Sequence, residues 1–199
     1  MKQYIVIQGP VATRSGYGDH TRDIVHSLIA MDKYDIDIIS LPWGSCPMDA
    51  LNIQNEKDKL IIDRIVRRNI TKQPDIFIQV SVPNEFCIDQ NGKPMKPGKF
   101  NIGITAGIET TQVPHSFIEG CNRMDLIIAT SEHSKAGIVG TVYDKIDQKT
   151  QQKQGELKCT TPVEVLFEGL DLDTYFKTNE LDKSIVDELS MIKESFCYL

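Results

Sequence analysis

Four short segments hold the side chains whose types and spacing could do chemistry, and each follows an apolar run. The first spans residues 8–18, where Ser15, Gly16, Tyr17 and Gly18 lead into a stretch with helical apolar spacing. Glycines let the backbone take torsions and approaches that a side chain blocks. The unpaired N–H groups of a helix start, with their positive partial charge, suit a phosphate. Thr21 stands where the third glycine of a Gly-x-Gly-x-x-Gly fingerprint would be, and the loop is not of the Gly-x-x-x-x-Gly-Lys type. It reads either as a generic turn or as a phosphate contact. His20 reads as ligand-facing or as half-buried in the first helix.

The second segment, residues 105–114, carries Glu109 beside the hydroxyls of Thr110 and Thr111. A carboxylate so placed can accept sugar hydroxyls or stabilise developing positive charge. It can equally be a helix-start acid favoured by the dipole, with Pro114 suited to the first turn of that helix. In the third, Ser131, Glu132 and His133 read as a cap plus first-turn acid or as part of a cleft. The fourth, residues 167–176, offers Asp171 and Asp173 around a turn at Gly169. They lack the further oxygen ligands of a calcium loop, so a turn and cap is expected there rather than a metal.

These segments must be positioned by the elements before them. Tyr4-Ile5-Val6-Ile7 is a continuous β-branched run of the kind buried on both faces of a parallel sheet. Ile24, Val25, Leu28 and Ile29 then form one apolar stripe on a helix over 19–31. Strand and helix character alternate onward: strands over 34–41, 75–82, 100–105, 125–130 and 163–167, helices over 57–69, 113–121, 131–143 and 181–194. That order predicts an α/β fold, an open, mostly parallel sheet with helices on both faces. Ligands of such sheets bind beyond the carboxyl ends of the strands, where the four segments fall. Asn91-Gly92 predicts a small hairpin excursion within 84–99. The Lys- and Gln-rich stretch 144–161 is expected to be a solvated insertion or flexible loop.

Composition bounds the function. The chain has 199 residues, 22 Lys and Arg against 28 Asp and Glu, and a net charge of -6. That balance argues against nucleic acid as the primary ligand. No apolar run approaches the ~20 residues of a membrane helix, and the start lacks the features of a signal peptide, so a cytoplasmic protein without a membrane span is expected. Cys46, Cys87, Cys121, Cys159 and Cys197 are more than 30 residues apart in each case. Such scattered thiols predict neither a metal knuckle nor a disulfide framework. Trp43, the chain's one tryptophan, reads as a core residue or a cleft-facing sugar platform.

Four pieces in order resemble the retaining glycosyltransferases of GT-B fold: Ser15-Gly16-Tyr17-Gly18-Asp19-His20-Thr21-Arg22, Asn101 to Thr111, Asp125 to Ser131, and Glu168-Gly169-Leu170-Asp171 with Phe176. The resemblance covers most of the chain. It implies a Rossmann-like N-terminal, acceptor-side domain over 1–194, followed at 195–199 by the opening strand of a C-terminal, donor-binding domain. By it, Ser15, Gly16, Tyr17 and Gly18 approach the phosphates of a nucleotide-sugar donor, and Glu109 stands at the catalytic position near the transferred sugar. Thr110, Thr111, His20, Ser131 and Glu132 line the cleft or receive the acceptor. Many members carry a histidine in the loop occupied here by Gly107-Ile108-Glu109. The resemblance implies no metal and no cofactor beyond the donor substrate, a truncated chain inactive without its second half, and an acceptor of unknown identity. A different class, a non-catalytic α/β nucleotide-binding or partner-binding module, fits the same elements. A dinucleotide-dependent oxidoreductase fits less well, because residues 39–43 supply no acid for a ribose hydroxyl.

Overall fold

The computed structural model describes residues 2–66, 70–169, 172, 176–178 and 180–193. The chain divides into two units, Met1–Glu168 and Gly169–Leu199. The first is an α/β domain built on a six-stranded, wholly parallel sheet of order β2-β1-β3-β4-β5-β8. Its strands are β1 (Gln3–Gly9), β2 (Tyr34–Ser40), β3 (Ile76–Val80), β4 (Phe100–Thr105), β5 (Leu126–Ala129) and β8 (Val163–Val165). The remaining strands, β6 (Val142–Ile146) and β7 (Lys153–Lys158), form a separate antiparallel pair.

Alternation along the central strands divides the core between the two faces of the sheet. On one face Ile5, Ile7, Ile78, Val80 and Ile104 are buried with Val25 of α1 (Gly16–Ala30) and Ile61 of α2 (Glu56–Ile62). On the other, Val6, Phe77 and Ile127 are buried with Ile118 of α3 (His115–Cys121) and Ile138 of α4 (Glu132–Gly140). Strands that are apolar on both sides therefore lie between two helical layers, and the fold is Rossmann-like. Strand order reverses between β1 and β3, which opens a crevice at their carboxyl ends.

Three elements depart from the sequence reading. The helix expected over 57–69 stops at Ile62, because the chain after it turns back to the outer edge of β2. There Ile38 donates its N–H to the Arg64 carbonyl at 2.8 Å and accepts one from Val66 at 2.9 Å. Ile65 and Val66, which extended the helical stripe in the sequence, serve the sheet edge instead. The helix expected to reach Tyr143 ends at Gly140, and Thr141 turns the chain by donating to the Gly137 carbonyl while accepting from the Val113 N–H. The stretch 144–161, expected as a flexible loop, contains most of the β6–β7 hairpin, with Lys153 paired to Asp144 at 2.6 Å and Glu156 at 2.9 Å. Both of its strands are largely exposed, so no apolar alternation marks them. The excursion over 84–99 has its turn at Gly92, φ +74°, and one antiparallel bridge, Ile88 to Pro94.

The fold also brings two thiols together. Cys121, in α3, and Cys159, just after β7, pack in one apolar cluster, and each acts on the other's thiol. The Cys121 S–H supports the thiolate of the less buried Cys159, lowering it to about 7 and raising Cys121. In the second unit, α5 (Lys183–Ser190) is exposed throughout its length. The sequence-predicted opening strand at 195–199 lies outside the described residues. Among the described residues no helix is long and apolar enough to cross a membrane.

Two predictions follow from the packing. A Cβ at Gly120 would overlap the Pro83 carbonyl, where α3 crosses the turn after β3. Gly120→Ala should destabilise by about 2–4 kcal/mol, measured as a lower urea midpoint. Alkylation of Cys159 should accelerate as pH rises through about 7, and Cys121→Ala should move that midpoint up toward an ordinary thiol's, read by mass spectrometry of iodoacetamide adducts.

Candidate functional site at the carboxyl rim of the sheet

The loop after β1 is shaped by its own hydrogen bonds. Thr13, fully buried, donates to the Pro10 carbonyl at 2.8 Å and shares a hydrogen bond with Ser15 Oγ. Ser15 caps α1 by accepting the Gly18 N–H at 3.0 Å, which satisfies one amide of the first turn. Gly18 has to be glycine, since a Cβ there would strike the Thr13 carbonyl. Gly16 has open space around it and is exposed. Arg22 reaches back to the carbonyls of Val11 at 2.8 Å and Thr13 at 2.9 Å, and pairs with Asp19. Thr13 and Arg22 did not stand out in the sequence, although the i,i+3 spacing of Asp19 and Arg22 was a usable signal.

Tyr17 links this loop to the end of β4. Its hydroxyl shares a hydrogen bond with Thr105 Oγ1 at 3.1 Å and accepts the Ala106 N–H at 3.2 Å. Its ring stacks on Trp43, with centroids 4.3 Å apart, so the tryptophan belongs to the rim and is half-buried there. Burial raises the Tyr17 pKa above its ordinary 10.0, hydrogen bonds from Thr105 and Ala106 offset part of the rise, and the charges of Glu168 and Glu85 add to it.

The β4 loop is fixed on its other side by α4. Ser131 caps that helix through the Ser134 N–H at 3.1 Å, and Ser134 Oγ donates to the Ala106 carbonyl at 2.7 Å. Gly107, φ +81°, lies where a Cβ would press into Ser134, so both its torsion and its contacts require glycine. His133 Nε2 is 3.2 Å from the Glu109 carbonyl. Ser131 and Glu132 are thus the cap and the first-turn acid.

Glu109 is not a helix-start carboxylate: α3 begins at His115, and Pro114, expected in its first turn, is the capping position. The Glu109 carboxylate is exposed and has no hydrogen-bond or ion-pair partner among the described residues. Thr110 and Thr111 are exposed beside it, Thr110 turned locally onto the Gln112 carbonyl at 2.7 Å. Asn101, at the start of the second family-like segment, sits at the opposite end of β4, where it clamps Gly98 and Asp125.

His20 is the most unusual group at the rim. Rather than half-buried it is 7% exposed, and neither ring nitrogen has a hydrogen-bond partner among the described residues. Glu168 Oε1, after β8, lies 3.8 Å from Nδ1, beyond hydrogen-bond reach. Glu85, after β3, is held by the Ser81 hydroxyl. Leu170 and Asp171 of the fourth segment lie outside the described residues, as does Asp173. Among the described residues no three His, Cys, Asp or Glu side chains gather to hold a metal ion. A cleft of about 210 Å³ lined in part by Tyr4, Asp35 and Asp37 opens at the other, amino end of the strands. The Tyr4 hydroxyl donates to Asp37 there at 2.7 Å, and the family-like segments do not reach it.

The chain matches no protein-family model, no curated protein and no solved structure.

Removing the Tyr17 hydroxyl tests how far it fastens the rim. Tyr17→Phe should cost about 1–2 kcal/mol through the loss of its hydrogen bonds and the unpaired Ala106 N–H, seen in the urea midpoint. A tyrosine whose folded pKa is raised holds its proton longer when folded, so its contribution is complete below 10.0 and lost as pH rises through the folded value. The decline of stability above pH 10.0 should therefore be shallower in Tyr17→Phe.

Proposed function

We propose that this chain is the acceptor-side domain of a retaining glycosyltransferase that moves a sugar from a nucleotide-sugar donor. The observation that supports the reading is convergence. The segments resembling that family, separated by up to a hundred residues and more in sequence, come to one carboxyl rim: Ser15 to Gly18 before α1, Thr105 to Thr111 after β4, Ser131 after β5 and Glu168 after β8. In this role the exposed turn at Gly16 admits the donor phosphates to the amides of the α1 start. Glu109, exposed at the rim, faces the transferred sugar. Tyr17 and Ser134 keep the two loops in register, so that the reacting groups need not be reordered on binding. The rim's own cations are engaged, Arg14 by Asp49 and Arg22 by Asp19, so neutralisation of the leaving diphosphate falls to another part of the enzyme.

The full gene product, incubated with UDP-, GDP- and ADP-linked hexoses, should release nucleoside diphosphate from one of them, followed by a coupled assay. Glu109→Gln should lower that rate by about a hundredfold with an unchanged urea midpoint, since the side chain is exposed. No turnover of any donor, together with no perturbation of the Gly16 to Gly18 amides by nucleoside diphosphates in NMR spectra, would favour a non-catalytic partner-binding module.

A further inference from the structure

We propose that His20 and Glu168 form a socket for a hydroxyl group of a neutral, polyhydroxylated ligand at the carboxyl rim. Burying an imidazole with both nitrogens unpaired is unfavourable, and an apolar side chain would fill the same place in α1 without that cost. A neutral imidazole offers one donor and one acceptor, and a carboxylate offers acceptors only. The 3.8 Å between Nδ1 and Oε1 is too long for a direct bond, yet an oxygen can stand about 2.8 Å from both. A hydroxyl suits that place: it donates to the carboxylate and accepts from the ring N–H. Glu168 lies 57% exposed in a segment without regular structure, so the carboxylate side of the socket is open to solvent.

The surrounding charge selects the ligand class. Asp23 stands one turn along α1 from His20, and Glu85 joins Glu168 in acting on the neighbouring Tyr17. Asp19 is adjacent, and the guanidinium it holds, Arg22, is already committed to it and to two loop carbonyls. At the point between His20 and Glu168 these carboxylates, with their cation occupied, favour a hydrogen-bond donor over an anion. The ligand is thus a neutral sugar or cyclitol. Calling that ligand the acceptor rests on the transferase reading, but the socket does not.

Titration with glucose, galactose, mannose and myo-inositol, and separately with inorganic phosphate, tests the proposal by NMR. The His20 ring signals are assigned by their loss in His20→Gln. A saturable shift of those signals by at least one of the polyols, in the millimolar range and without a comparable shift by phosphate, is expected. Glu168→Ala, a change at an exposed position, should weaken binding by about tenfold, read on the Thr21 amide. No saturable shift with any of the polyols, an equal response to phosphate, or Glu168→Ala binding as tightly as the parent overturns the socket. Polyol binding at His20 with neither donor turnover nor perturbation of the Gly16 to Gly18 amides by nucleoside diphosphates keeps the socket and removes the transferase. Donor turnover with a silent His20 does the reverse.

Discussion

The hydroxyl of Tyr17 is the point through which the two central loops of the rim are joined. It accepts the Ala106 N–H and shares a hydrogen bond with Thr105, while its ring lies against Trp43. Tyr17 sits in the first turn of α1, so one side chain sets the distance between that helix start and the end of β4. On the far side of the same loop, the Ala106 carbonyl accepts Ser134 of α4. A single residue is gripped from both helices, through the N–H of one peptide unit and the carbonyl of the next, and what flanks it inherits that position.

This grip makes sense of the glycines. Gly18 and Gly107 are not loose joints: each faces atoms that a Cβ would meet, Thr13 in one case and Ser134 in the other. They allow close approach, which keeps the rim tight. Gly16 differs, with open space and an exposed backbone, and it is where a ligand can come near. The loop thus divides its glycines between packing and access.

Charge completes the picture. The rim's arginines are spent on holding the loop, Arg22 on carbonyls and Asp19, Arg14 on Asp49. The groups left over are acidic or neutral, including Glu109, Glu168 and the unpaired imidazole of His20. These side chains suit the hydroxyls of a ligand, and their sign agrees with the net charge of -6.

Much of the sheet was legible in the chain, because a parallel strand buried on both faces must be a continuous apolar run, as Tyr4 to Ile7 and residues 125–130 are. The cap at Ser131 was local as well: its hydroxyl meets an amide three residues on. By contrast, α2 was overextended because Ile65 and Val66 keep helical spacing while bonding to β2, a long-range contact that periodicity does not record. The β6–β7 hairpin was missed because polar cross-strand pairs leave no apolar pattern. Candidate residues such as Gly16, Glu109 and Ser131 could be named from type and spacing and placed beyond strand ends, yet which of their loops are neighbours is a property of strand order. The burial of His20, its approach to Glu168 more than a hundred residues later, and the pairing of Cys121 with Cys159 were decided only by tertiary structure. Local sequence determines which backbone groups can be satisfied nearby, whereas distant side chains meet only once the sheet has set the order of its strands.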